Sequence, residues 1–390
     1  MGKDEGAKIG VECLQNNLTL MMVDPELLKE RRDRIPKAVA LEKPDRIPMV
    51  LEYSGFAANA TKTEIADFIS SPSKATETMI QAYKLIGGGD AINYGTFSPY
   101  HLCYLYGAKV KVPGIDLPAD DMWQVVETEL MKVEDYDRIL EIGWPEFFKG
   151  FLSDRVFNDA ALNLLPANQE RIDIIGLWSD EGVPVLAGGD VTTPFELLCG
   201  SRSTERFFLD LLEIPDKVEA VMKLMVPHLS LTNVDRMIKR GYMVAWVGGW
   251  RTAPFMLSPR IWERFVWPYL QQQINKVVEA GLIPLLHLDS NWDRELERFK
   301  DFSKGKIIMA LDGETDIFSA KEILGDHICL MGDIPSSMLA FGTPDDVYQY
   351  SRKLIRSLGP EGFILQSGCD IPTNAKLENV QAMLSAALEH

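Results

Sequence analysis

Short apolar runs recur along the chain, each followed by a loop with glycine or aspartate and then by an amphipathic stretch. They cover residues 46–53, 90–95, 183–189, 243–249, 282–289, 306–312, 328–334 and 363–368. None is long enough to cross a membrane, and apolar runs of this length read as strands buried on both faces. The later runs are separated by stretches with helix signals. Asp316 opens 317–324 with Gly325 as the stop, and Thr343-Pro344-Asp345-Asp346 opens 347–358 with Gly359 as the stop. Eight strands alternating with helices predict an α/β fold, a (β/α)8 TIM barrel. The structural alternative is a doubly wound open sheet, but no GxGxxG follows the first strand.

Residues 1–40 read as an N-terminal helical extension, with Asp24-Pro25 as N-cap and first helical residue. The barrel is expected over 41–388. The gap between the second and third strands is longer than one crossover and reads as an insertion, with helices expected over 120–132, 133–142 and 144–152. No linker rich in proline, serine or charge marks a second boundary. The Met21-Met22 pair reads as core rather than as a cofactor contact.

In a barrel of this kind the reactive groups lie at the C-terminal ends of the strands. Those ends carry Glu52 and Tyr53, Asn93 and Tyr94, Asp190, Trp250 and Arg251, His287 and Asp289, Asp312, Asp333, and Cys369 and Asp370. Strand alternation puts His287 and Asp289 on one face. Alone, a strand histidine is more often a hydrogen-bonded core residue, and a free cysteine a small buried hydrophobe. Together, on the fifth and eighth strand ends, His287, Asp289 and Cys369 offer imidazole, carboxylate and thiolate, the donor set zinc prefers. Asp190 either serves the site or caps the next helix. Asp312 and Asp333 are site residues or loop-formers, and Trp250 and Arg251 either wall a pocket or simply pack. Asp90, after three glycines, carries the same ambiguity. The expected substrate-binding set is Tyr53, Asn93, Tyr94, Trp250 and Arg251; the expected catalytic acids are Asp190, Asp312 and Asp333.

With 46% apolar and 25% charged residues, the chain has the composition of a soluble globular protein. A formal charge of −17 argues against nucleic acid and anionic membrane surfaces as partners. Five cysteines scattered without paired spacing suit reduced thiols. The N-terminus has no apolar h-region, so cytoplasm is the expected location. A homo-oligomer is compatible with all of this.

Several segments resemble the uroporphyrinogen decarboxylase superfamily: Glu42-Lys43-Pro44-Asp45-Arg46-Ile47-Pro48, Ser70-Ser71-Pro72 ahead of Gly89-Asp90, and Gly332-Asp333-Ile334-Pro335. Most specific are Gly342-Thr343-Pro344-Asp345-Asp346-Val347, Gly362-Phe363-Ile364-Leu365 and Gly368-Cys369-Asp370-Ile371-Pro372, followed by Glu378-Asn379-Val380. The resemblance implies a TIM barrel. True decarboxylases of the family carry an arginine-bearing pattern after the first strand; here Glu52-Tyr53-Ser54-Gly55-Phe56-Ala57 has none. The corrinoid-dependent methyltransferase branch binds zinc through His-x-Cys on one strand and a cysteine on the last. His287 and Cys369 match, and Asp289 replaces the first cysteine. The resemblance therefore implies a zinc site in which Asp289 ligates through oxygen or yields to water or to another carboxylate such as Glu263 or Asp312. One thiolate in place of two makes zinc harder and more Lewis-acidic. That favours a demethylating methyltransferase, passing the methyl group of an O-methyl (methoxy) donor to the cobalt of a separate corrinoid (cobalamin) protein. The alternatives are a metal-free decarboxylase relying on Asp90 and Arg251, methyl transfer from methylcorrinoid to a thiol or to tetrahydrofolate, and a non-catalytic binding barrel.

Overall fold

Parallel strand pairing organises the structure, a computed structural model that describes residues 25–157 and 171–389. Strands β1 (Val50–Leu51) and β2 (Ala91–Ile92) pair in parallel. Strands β3 (Lys109–Lys111) and β4 (Gln124–Val126) form a separate antiparallel pair. A six-stranded parallel sheet follows in sequence order: β5 (Ala187–Thr192), β6 (Val244–Gly248), β7 (Ile283–Leu288), β8 (Ile308–Leu311), β9 (Cys329–Ile334) and β10 (Phe363–Ser367). Isolated bridges join Met49 to Leu365 of β10 and Ile92 to Val185, just ahead of β5. The N–H groups of Leu186 and Ala187 donate to the carbonyls of Ile92 and Asn93 at 2.9 and 2.8 Å. All eight expected runs carry one strand on this path, and the third strand lies further towards the C-terminus than its run.

Period-two alternation splits the apolar residues of these strands between two clusters. Val50, Val244, Trp246, Leu285, Ile308, Met331 and Ile364 gather on one face with Ile35, Ala38 and Val39 of the helix Pro25–Val39. Leu51, Val247, Leu286, Leu288, Met309, Leu311 and Leu365 face the larger helical layer. Each such leucine, valine or isoleucine contributes roughly 1.5–3 kcal/mol on full burial.

The helix Pro25–Val39 is fastened by Asp90, which immediately precedes β2 and is fully buried. Its carboxylate accepts from Arg34 at 2.7 Å, from Arg46 at 2.6 Å through both terminal nitrogens, and from the Met49 N–H at 2.9 Å. The expected caps are present: Asp316 accepts from the Phe318 N–H, and Thr343 with Asp346 forms a capping box. The helix starting at Pro25 also agrees with expectation, whereas Asp24, Met21, Met22 and the rest of 1–24 lie outside the described residues.

The insertion requires one correction. Helices Asp135–Ile142 and Trp144–Phe151 form as expected, but no helix spans 120–132. Val125 and Val126 are β-branched, so the segment pairs with Val110 and Lys109, and further on the N–H groups of Leu130 and Met131 donate to the Ser201 carbonyl. No helix among the described residues is long and apolar enough to cross a membrane.

Candidate metal centre

On β7 the alternation that sends Leu286 and Leu288 into the helical layer turns Leu285 and His287 to the other face. Asp289 follows at the strand end. Beyond β10, Gly368 passes so close to β8 that an added Cβ would lie 2.7 Å from the Asp312 carbonyl oxygen. That close passage brings Cys369 over the sheet face. His287 Nε2 stands 3.1 Å from Asp289 Oδ1 and 3.7 Å from Cys369 Sγ. The three donor atoms all lie within 4.8 Å of one another. Zinc bonds of about 2.0–2.3 Å at tetrahedral angles hold neighbouring ligand atoms about 3.3–3.8 Å apart, so the two His287 separations already suit one ion and the remaining pair closes on it with a shift of at most about 1 Å. Three protein donors also match a catalytic site with an open position rather than a closed structural one.

The surroundings fix this geometry. His287 is 5% exposed, and its ring stacks on Trp246 with centroids 5.5 Å apart. Burial works against the charged ring, but the bonds with Asp289 and Cys369 outweigh it and hold His287 well above its ordinary value. Burial pushes the Cys369 thiol up, partly offset by His287. A divalent cation reverses that logic, since it holds a coordinating thiol as thiolate. His287 Nδ1 is buried without a partner among the described residues.

More carboxylates surround the triad. Glu52, next after β1, accepts from Asn93 at 2.6 Å and Gln366 at 3.2 Å. Asp370 accepts from the N–H of Ser54 at 2.9 Å and from its hydroxyl. Burial, then the charge of Glu52, pushes Asp370 up to about 7. On β5, Asp190 accepts from the Tyr94 hydroxyl at 2.5 Å and faces His101 Nε2 at 3.4 Å. Arg251 is buried, pairing with Glu196 at 2.7 Å and Glu127 at 3.4 Å, and lies 3.9 Å over the Trp250 ring. Burial lifts Glu196 to about 7 despite that arginine. An acid-lined wall of this kind favours a cation.

The residues expected to act together do not all meet. His287, Asp289 and Cys369 converge; Asn93, Tyr94 and Asp190 join the polar groups just described. Asp312 is occupied as a loop-former, accepting from the N–H groups of Ser290 at 2.7 Å and Glu314 at 3.0 Å. Asp333 accepts from Tyr350 of the helix Pro344–Leu358 at 2.9 Å. Tyr53 turns away: its ring lies in the helical layer and its hydroxyl donates to the Met79 carbonyl at 2.9 Å. Alternation makes its neighbour Glu52 the residue of that run near the triad. Trp250 is 37% exposed beside Arg251. Glu263 is no substitute ligand, because it pairs with Arg298. Asp90 is consumed by Arg34 and Arg46. Sequence reasoning missed Glu196, which sits inside a helix, and His101, which lies past the strand end.

Residues 156–390 match the family described as Uroporphyrinogen decarboxylase (URO-D). A uroporphyrinogen decarboxylase from Coxiella burnetii (strain RSA 493 / Nine Mile phase I) is 22% identical over 381 residues, 92% of this chain and 95% of that protein. The methylcobamide:CoM methyltransferase MtaA of Methanosarcina barkeri (strain Fusaro / DSM 804) is 25% identical over 238 residues, which is 58% of this chain and 65% of that relative. Among solved structures, a methyltransferase from Methanosarcina mazei superposes with a TM-score of 0.69 at 17% identity, covering 92% of this chain and 98% of that one. That likeness is one of fold.

Proposed function

The chain belongs to the uroporphyrinogen decarboxylase family, and from that premise we propose that it is a zinc-dependent methyltransferase moving the methyl group of a methoxy donor to the cobalt of a corrinoid carried by a separate protein. The scaffold in this reading is a single (β/α)8 barrel over 41–388, working in the cytoplasm. The strand path from β1 through β2 and β5 to β10, with the Met49–Leu365 bridge back to the start, supports it.

One observation carries the reading: an imidazole, a carboxylate and a thiol from two distant strand ends converge within 4.8 Å. His287, Asp289 and Cys369 would hold the zinc. When bound there, the ion supplies a Lewis acid for the donor's ether oxygen. Asp190 orients the leaving side of the donor, with Tyr94 holding the carboxylate in place. Asp312 and Asp333 shape the strand ends through the bonds they already make. Asn93 keeps Glu52 aimed beside the triad, and Trp250 with Arg251 offers an aromatic wall.

Decarboxylation of a many-carboxylate substrate has less support. Arg251 is already matched by Glu196 and Glu127, and buried carboxylates without cationic partners are strongly disfavoured. A second reading, methyl transfer from methylcorrinoid to a thiol, follows the direction printed for the Methanosarcina barkeri relative. The single sulfur donor favours the oxygen-directed reaction, because a harder ion activates an ether better than it keeps a bound thiolate nucleophilic.

The test is to incubate the protein with reduced cobalamin and a panel of methoxyaromatics while following methylcobalamin spectroscopically. Methylcobalamin is expected with wild type and at least about 100-fold less with Cys369→Ala. No methylcobalamin across the panel, or an unimpaired Cys369→Ala, would contradict the proposal.

A further inference from the structure

His101 belongs to none of the groups assigned a role above. It opens the short helix His101–Tyr106. Its Nδ1 lies 2.9 Å from the Ser98 carbonyl oxygen, and because a carbonyl only accepts, Nδ1 carries the hydrogen. Nε2 then faces Asp190 Oδ2 at 3.4 Å. A neutral ring so oriented would turn its lone pair onto a carboxylate. The contact is favourable only with a further proton between the two, so the pair stores one transferable proton.

The charges agree with that tautomer. Burial opposes a charged His101, but Asp190 outweighs it and the ring is raised above its ordinary value. Burial likewise opposes a charged Asp190, and the bonds from His101 and Tyr94 hold it low.

The pair also opens towards the triad. Asp190 is in register with Trp246 of β6, and residues in register on adjacent strands share a face. The Trp246 ring stacks on His287, so Asp190, Trp246 and His287 follow one another across one face of the sheet. The His101 side chain is 41% exposed, so the ring is within reach of a molecule from solvent.

We propose that the His101 imidazolium, oriented by Asp190, is the acid that delivers a proton to the oxygen released as the methyl group leaves. The inference rests on the methyltransferase reading. The methyl C–O bond breaks with its electron pair on oxygen. The methyl carbon takes the electron pair of the reduced corrinoid, whose cobalt is thereby oxidised by two electrons. The Nε2 proton passes to the oxygen, giving a free hydroxyl compound and a neutral imidazole that solvent reprotonates. His101 is the catalytic residue in this step and Asp190 a positioning residue.

The experiment compares wild type, His101→Gln and Asp190→Asn with reduced cobalamin and two donors, methoxybenzene and 4-nitromethoxybenzene. General acids contribute about 100- to 10,000-fold, so His101→Gln should slow methoxybenzene by about 100-fold or more. The loss should shrink below about tenfold with the nitro compound, whose phenoxide leaves with less need of a proton. Asp190→Asn, which keeps an acceptor for Tyr94, should show the same donor dependence to a smaller extent. Zinc content and thermal midpoint should match wild type in both variants, so that a fold defect is not mistaken for lost chemistry. Equal losses on both donors, or no loss, would overturn the inference while leaving the methyltransferase reading intact. No turnover by wild type on either donor would overturn both.

Discussion

At the scale of single residues, the proposed chemistry turns on Asp289. It stands where a second sulfur would complete a thiolate-rich site, and its Oδ1 lies 3.1 Å from His287 Nε2. Asp289→Cys should therefore tighten zinc binding yet slow transfer from methoxy donors, because the added thiolate softens the ion. A chelator competition alongside the methylcobalamin assay checks both halves. Asp333 makes a pH prediction. Burial pushes it from 3.8 up to about 6 against the pull of Tyr350. Between those values the folded state holds a proton that the unfolded chain has released, so this residue's contribution to stability falls as pH rises through that window. The loss is on the order of 3 kcal/mol. Asp333→Asn should accordingly gain thermal midpoint over wild type between about pH 4 and about pH 7, and an unchanged difference would contradict the assignment. The pairing of His287 with Asp289 was legible in the sequence because both sit at period two on one strand. Tyr53 was misread for the same rule: its alternation parity sends it into the helical layer and leaves Glu52 near the site. His101 gave no signal, since only the fold brings it to Asp190, on a strand about ninety positions away.

Among the elements, β6 and β7 hold the histidine by close backbone contact. A Cβ on Gly248 would lie 2.4 Å from the His287 carbonyl oxygen. Gly248→Ala should push the two strands apart, lowering zinc occupancy as well as stability, measurable on one purified sample. The helix Pro344–Leu358 carries an independent prediction. Loss of its capping box in Thr343→Ala should cost about 1 kcal/mol in denaturant unfolding without changing metal content. The caps at Asp316 and Thr343 were readable because they depend on neighbours in sequence. Strand β4 was not, because a short run in an acidic segment pairs only once Lys109–Lys111 is beside it. The triad itself needed the topology: Cys369 and His287 are 82 positions apart, and Cys369 follows β10, which is not a neighbour of β7 in the sheet.

For the molecule as a whole, the candidate site and the fastening of the N-terminal helix occupy opposite strand ends. Asp90 at the start of β2 binds Arg34 and Arg46, while Asn93 just past its end approaches Glu52. Asp90→Ala leaves two guanidinium groups without their buried partner and should cost about 3–5 kcal/mol, with zinc content per folded chain unchanged. A metal-free decarboxylase relying on Asp90 would instead lose activity without reference to metal. The central claim concerns the other end, and metal analysis of purified wild type beside His287→Ala and Cys369→Ala tests it most directly. The account predicts about one zinc ion per wild-type chain and little in either variant. Wild type that takes up no zinc, or variants that retain it in full, would contradict it.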